Sequence, residues 1–393
     1  MSEIETIKKH VKYLSVTIGP RGSTTLGEKQ AAAYVANVYS NLGLSPIIEP
    51  FRSAKSAWLP FALGTGLILV GEVLYLVGGF YGLLFAILIS VFALSSLVLE
   101  LMFKQNPFRL ILPKGDSQNV SVKIPSEGLS KETVILIGHL DTHRMPIAYK
   151  SQRWVAFFRS LTTTTFASVI LLLILFIADI FFEWIIIPLL SLVFIIPVVF
   201  LFLMASFADM TDYTAGANDN ATGAAIVIGL VERVLKAPLQ NTDIWAVGSG
   251  CEEVGAYGAD AWIKKHIHEV EGAIFLTLDN LGGKGAGPCY LKKETLIFPF
   301  ESDPQLLKIA DKIAAENPDL GAFSREMKAA YTDGAIGNKA GLRCLTFVNY
   351  TPAGVIPDWH QPSDVFENVD WNVVQRTEEF VWRLIQKIDS DKL

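Results

Sequence analysis

The chain has 393 residues, a mean hydropathy of +0.38 and only 18% charged residues, which marks part of it as built for lipid rather than water. A net charge of −6 lacks the clustered basic face that a nucleic-acid partner requires. Three scattered cysteines (Cys251, Cys289, Cys344) exclude a disulfide framework or a thiolate metal site, and their odd number fits a reducing compartment.

Taken in chain order, the first twenty residues lack the apolar core of a signal peptide. Residues 25–42 carry an apolar stripe (Ala31, Ala32, Val35, Ala36, Val38, Tyr39) ended by Gly43, which predicts a helix. Residues 57–103 are almost wholly apolar and divide at Gly78-Gly79; residues 161–207 repeat the pattern around Asp179 and Trp184. A helix needs about 20 apolar residues to cross the hydrocarbon, so four spans are expected at 58–77, 80–102, 161–178 and 184–207. Buried core helices are the alternative, but uncharged runs this long are typical of bilayer solvent. Pro188 and Pro197 predict a kink in the fourth span. Glu72 lies inside the first, where a charge costs on the order of 2.5–3.5 kcal/mol, and it is given no catalytic role.

Each hairpin returns the chain to the side it left. Basic residues gather on that side (Arg52, Lys55, Lys104, Arg109, Lys114, Lys150, Arg153, Arg159), while the second tip is acidic (Asp179, Glu183). The positive-inside bias therefore predicts an integral multi-pass membrane protein whose remaining residues face the cytoplasm. Those residues, 1–56, 104–153 and 208–393, are expected to form one soluble catalytic domain interrupted by hairpins at 57–103 and 154–207. Strands are expected at 119–124, 133–137, 244–247, 273–278 and 342–348, and helices at 223–236, 254–266, 304–315 and 371–388. This alternation predicts an α/β fold, a mostly parallel mixed sheet sandwiched by helices. Ligands of such folds gather beyond the carboxyl ends of the strands.

The polar residues that could carry chemistry lie at those ends. The run 134–137 leads into His139-Leu140-Asp141, 244–247 into Cys251-Glu252-Glu253, and 273–278 into Asp279-Asn280. A loop, Gly216-Ala217-Asn218-Asp219-Asn220, precedes the helix near Gly223, and Trp359-His360-Gln361-Pro362-Ser363-Asp364 follows the last strand. Singly, each is the ordinary stuff of loops and caps. Together they offer imidazoles and carboxylates, the usual partners of zinc, with a spare glutamate suited to act as a general base.

At these motifs, and at Gly19-Pro20-Arg21-Gly22-Ser23 and Asn119-Val120, the sequence resembles the co-catalytic di-zinc exopeptidases. Bacterial leucyl aminopeptidase and yeast aminopeptidase Y typify that family, and glutaminyl cyclases and the inactive nicastrin are related to it. The resemblance implies two zinc ions per chain. His139 and Asp279 would bind one, Glu253 and His360 the other, and Asp219 both. Glu252 would be the general base, and Asp141 would orient His139 from behind. One departure is Thr332-Asp333-Gly334, where many members read Ser-Asp-His; Tyr331 or Thr332 would then polarise the substrate carbonyl. His143 is assigned to the pocket wall, and Cys251 to a small buried position.

The expected activity is that of a zinc-dependent aminopeptidase acting on peptides at the bilayer. The alternative substrate is an amide or ester in a lipid-linked molecule, because the hairpins interrupt the chain just before Asn119 and just after Asp141. A catalytically silent scaffold ranks lower, since the full ligand set and Glu252 are retained. A cyclase of glutaminyl N-termini ranks below the lipid-linked reading, since it needs a single metal and a tight amide pocket that the sequence does not display.

Overall fold

Period-two alternation and period-3.6 stripes determine which faces meet in the computed structural model, which describes residues 3–104, 106–296 and 298–390. The chain divides into two compact units: Met1–Lys55, Lys114–His143 and Tyr213–Leu393 form the first, Ser56–Pro113 and Arg144–Asp212 the second. In chain order, α1 (Glu3–Lys12) and α2 (Leu26–Asn41) precede β1 (Ile47–Ala54). The first excursion into unit two holds α3 (Leu59–Val77), α4 (Gly79–Leu101) and the single turn α5 (Phe108–Ile111). Strands β2 (Lys114–Ile124) and β3 (Glu132–His139) return to unit one, and the second excursion holds α6 (Gln152–Phe182) and α7 (Ile186–Ala208). Unit one then continues through α8 (Gly223–Lys236), β4 (Thr242–Ser249), α9 (Tyr257–His266), β5 (Ile274–Asp279), β6 (Cys289–Thr295) and β7 (Pro299–Glu301). It ends with α10 (Pro304–Glu316), β8 (Phe323–Lys328), α11 (Asp333–Lys339), β9 (Arg343–Val348) and α12 (Trp371–Ser390).

The sheet runs β1-β2-β4-β3-β5-β9-β6-β7, with β8 paired to β6. Its four central strands, β4, β3, β5 and β9, are mutually parallel, while β1, β2 and β7 pair antiparallel and β6 meets β9 antiparallel. The expected mixed sheet is present, with parallel pairing among the four central strands and again between β6 and β8. Side chains alternate across it: Val134, Leu136, Ile244, Ala246, Ile274, Leu276, Leu345 and Phe347 join the core built with α1, α2, α8, α10 and α12. The opposite face turns Trp245 onto Trp262 of α9, ring centroids 5.4 Å apart, and brings Phe275 against Gly337 of α11. Helices therefore cover both faces, which is why the central strands are apolar on both sides.

Two expectations change in extent. The helix expected at 254–266 begins only at Tyr257, because Gly255 and Ala256 adopt positive φ (124° and 51°) in the turn that follows Glu253. The third apolar helix is longer than its apolar run: α6 starts at Gln152, where the Ser151 side chain accepts from Trp154 N. In unit two, α3, α4, α6 and α7 are each long and apolar enough to cross a membrane. Glu72 is buried there and accepts a hydrogen bond from Ser191 Oγ at 2.7 Å, so α3 and α7 share one polar contact in an apolar bundle.

Candidate metal centre

The three parallel strands β3, β4 and β5 end side by side, at His139, Ser249 and Asp279. This register brings the chain's widely separated acids and imidazoles to one place. His139 Nε2 lies 3.2 Å from Asp219 Oδ1 and 3.5 Å from Asp279 Oδ1. His360 Nε2 lies 3.2 Å from the other oxygen of Asp219, Oδ2, and 3.2 Å from Glu253 Oε2. Asp219 thus faces one donor pair with each oxygen. Glu252 stands between the pairs, with donor atoms of His139, Glu252 and Glu253 all within 4.8 Å of one another.

A tetrahedral zinc with arms of about 2.0–2.1 Å sets its donors about 3.3–3.4 Å apart, and the separations here, 3.2–3.5 Å, fit that spacing. Glu253 Oε1 is buried and has no hydrogen-bond partner among the described residues, an expensive arrangement for a carboxylate that holds nothing. The charge balance argues the same way. Burial, then the neighbouring Glu253, Asp333 and Asp279, push Glu252 well above the usual carboxylate range, with His139 opposing. Burial and the charge of Asp219 push Glu253 up to about 7. Burial would depress both imidazoles, yet the surrounding carboxylates outweigh it, raising His139 well above the usual value and His360 to about 9. Such a site is short of positive charge, and hard divalent cations supply it.

The supports around this set are as specific as the set itself. Asp141 accepts from Ser23 Oγ at 2.6 Å and from the backbone of Glu252 and Glu253 at 3.0 and 3.2 Å, while its Oδ1 lies 3.5 Å from His139 Nδ1. It therefore fixes three site residues, where the sequence reading gives it one. Asp364, to which the sequence reading assigns no role, accepts from the backbone N–H groups of Asn218 (2.6 Å) and Asp219 (3.1 Å). Glu28 on α2 likewise receives the Cys251 N–H at 2.8 Å and Ser117 Oγ at 2.9 Å. Arg21 is fully buried and donates to five backbone carbonyls, those of Leu14, Gly19, Leu140, Ala215 and Gly216. It ties the loop after β3 to the loop before Asp219. The only sequence signal for Arg21 is its place in the Gly19–Ser23 motif, and for Asp364 its place at the end of the His360 motif. Glu28 carries none.

The departure at 332–334 has a packing reason. Thr332 N and Oγ1 both donate to Glu294, whose Oε1 also accepts from Thr346 Oγ1 at 2.6 Å. A Cβ on Gly334 would stand 2.2 Å from Thr346 Oγ1 and 2.8 Å from Glu294 Oε1. The space a larger residue needs is already filled. The Tyr331 hydroxyl donates to Phe298 O at 2.7 Å, so both hydroxyls expected near a substrate carbonyl have protein partners.

Residues 200–385 match the model of peptidase family M28. Asp219, Glu252, Glu253, Asp279 and His360 lie within the matched residues, and His139 and Asp141 precede them. No curated protein matches the chain by sequence. Among solved structures, the peptidase is similar to BSAP, a zinc aminopeptidase from Bacillus subtilis, at 13% identity and a TM-score of 0.59, covering 99% of this chain and 96% of that one. It is also similar to the glutaminyl cyclase of Tannerella forsythia (14% identity, TM-score 0.59, 99% of each chain). An aminopeptidase from Aneurinibacillus sp. strain AM-1 gives 13% identity and a TM-score of 0.57 over 98% of this chain and 93% of that one. At these identities the likeness establishes the fold, and the family match identifies the chain as a zinc metallopeptidase.

Proposed function

We propose that this metallopeptidase is a membrane-anchored aminopeptidase that removes N-terminal residues from peptides. The observation that carries the reading is Asp219, whose two oxygens each face a separate His-carboxylate pair at 3.2 Å. In this reading His139 and Asp279 would hold one zinc ion and Glu253 and His360 the other, with Asp219 able to serve both. The ions supply Lewis acidity, which lowers the pKa of water and polarises a carbonyl.

The remaining chemistry belongs to the protein. Glu252 takes a proton from the attacking water as the new C–O bond forms. It returns that proton to the amide nitrogen as the C–N bond breaks, releasing an amine and a carboxylic acid. Its raised proton affinity, from burial and like-charged neighbours, suits a group that must hold a proton briefly near neutral pH. Asp141 keeps it in place by accepting its backbone N–H. Bilayer anchoring is supported by the four apolar helices, and the cytoplasmic orientation by the basic residues at their ends.

The test is hydrolysis of a panel of aminoacyl-arylamides by detergent-purified protein, with zinc added or chelated and Glu252→Gln alongside. Turnover that requires metal and falls at least about 10²-fold in the variant, with zinc content unchanged, supports the reading. Two bound zinc ions without turnover on any free aminoacyl substrate would overturn aminopeptidase specificity and favour a lipid-linked amide instead.

A further inference from the structure

His143 lies four residues after His139 and is buried beside the donor set. One of its ring nitrogens falls within 4.8 Å of donor atoms of both Glu253 and His360. By distance alone it would be a further metal ligand. Its orientation says otherwise. The His143 ring stacks on the His360 ring with centroids 3.8 Å apart and planes 12° from parallel. An imidazole binds a metal through a lone pair lying in the ring plane, and the planes of two stacked rings do not meet beside them. The in-plane lone pairs of His143 therefore do not converge with that of His360 on the carboxylates of Asp219 and Glu253, each 3.2 Å from His360 Nε2.

The backbone that carries the ring is nonetheless held firmly. The His143 carbonyl accepts from Thr214 N at 2.9 Å, and the preceding Thr142 exchanges bonds with Arg21: Thr142 N donates to Arg21 O at 3.3 Å, and Arg21 N donates to Thr142 Oγ1 at 3.0 Å. A buried imidazole fixed beside these donors, but turned away from the point on which they converge, is placed to meet a substrate held there.

We propose that His143 is a substrate-binding residue, donating a ring N–H to the carbonyl oxygen of the peptide bond under attack. The inference rests on the peptidase reading above and adds a residue to it. Such a donor is worth most as negative charge grows on that oxygen, so its loss falls on kcat more than on KM.

The experiment compares His143→Phe, which keeps a flat ring for the stack, with His143→Gln, which keeps a donor, in full-length zinc-loaded protein. Expected are two zinc ions per chain in both variants. The Phe variant should lose about 10²–10³-fold in kcat with little change in KM, and the Gln variant should recover part of it. Wild-type kcat in the Phe variant would reduce His143 to a stacking wall and overturn the proposal. Loss of one zinc from both variants would make it a ligand after all and overturn it equally. Calorimetric titration with L-leucine hydroxamate separates this failure from failure of the function. If wild type binds the probe without hydrolysing arylamides, the activity reading falls while a weaker complex in the Phe variant still supports His143, and an unchanged complex overturns it. No binding to zinc-loaded wild type would overturn both.

Discussion

Asp141 shows how much a single carboxylate can organise. Its two oxygens receive Ser23 Oγ and the N–H groups of Glu252 and Glu253, and it abuts His139. In Asp141→Asn an amide N–H₂ must face these donors, so at least one contact turns repulsive and the turn carrying both glutamates loosens. Zinc affinity is expected to fall roughly 10–100-fold, the range for groups that orient metal ligands, as read by competition with a chromophoric chelator. Ser23→Ala, which removes one donor and adds no clash, should fall near the lower end. An affinity within twofold of wild type for Asp141→Asn would deny it this role. Of the residues brought together here, His139, Glu253 and Asp279 follow apolar runs and were legible as strand ends, whereas Asp219 and His360 stand in loops and were legible only through the motifs around them. Arg21, Glu28 and Asp364 were not, because they bind backbone groups contributed by distant segments, and no local pattern encodes a partner 145 residues away such as Asp219.

At the scale of elements, the start of α8 is a tight junction. A Cβ on Gly223 would stand 2.2 Å from both Asn220 Oδ1 and the Leu278 carbonyl, the residue before Asp279. Gly223→Ala is therefore expected to destabilise unit one by about 1–3 kcal/mol through overpacking and to weaken zinc binding, both measured on the purified protein; unchanged stability would mean that the junction is looser than its distances. Helix α1 yields a pH prediction. Burial, and then Lys9, lower the pKa of His10 to about 4, although Tyr34 OH lies 2.8 Å from its Nδ1 and Glu232 Oε1 lies 3.9 Å from its Nε2. The folded value lies below the unfolded 6.5, so the unfolded chain takes up the proton first. Stability is fully present above pH 6.5 and drains as pH falls toward 4, by up to about 3 kcal/mol from this residue. Denaturation curves of His10→Gln should be flatter than wild type across that window, and parallel curves would refute the assignment. Helices such as α8 and α12 were readable because their stripes match their burial, whereas β1 was not expected at all: it carries Pro50 and Arg52 in an edge strand exposed along much of its length, and an edge needs no continuous apolar run.

For the whole molecule, the decisive question is which side of a bilayer each part occupies. The four apolar helices are 19, 23, 31 and 23 residues long, and no more than 44% of the apolar window of any of them is buried. What they leave exposed is large and apolar: Val77, Tyr81 and Ile185 are 77%, 75% and 85% exposed. Patches of that kind need a lipid or protein cover. At 1.5 Å per residue α6 is about 46 Å long, more than the roughly 30 Å of hydrocarbon, and its surplus is the N-terminal turns that carry Arg153 and Arg159. If α6 spans the bilayer as proposed, this charge would mark where it leaves the apolar layer, on the side predicted to be cytoplasmic. The arrangement can be tested with introduced cysteines, because Cys251, Cys289 and Cys344 are all buried and should stay silent. Phe80→Cys and Trp184→Cys place thiols at the two hairpin tips, where the native residues are 61% and 59% exposed, and Ser130→Cys places one on an exposed loop of unit one. In right-side-out vesicles a membrane-impermeant maleimide should label only the two tips, and in inverted vesicles only Ser130→Cys. The reverse pattern would put the peptidase site outside the cell and assign its substrates to that compartment. Labelling of all three from one side would mean that the helices do not span, and their exposed apolar faces would then have to be covered by a partner protein.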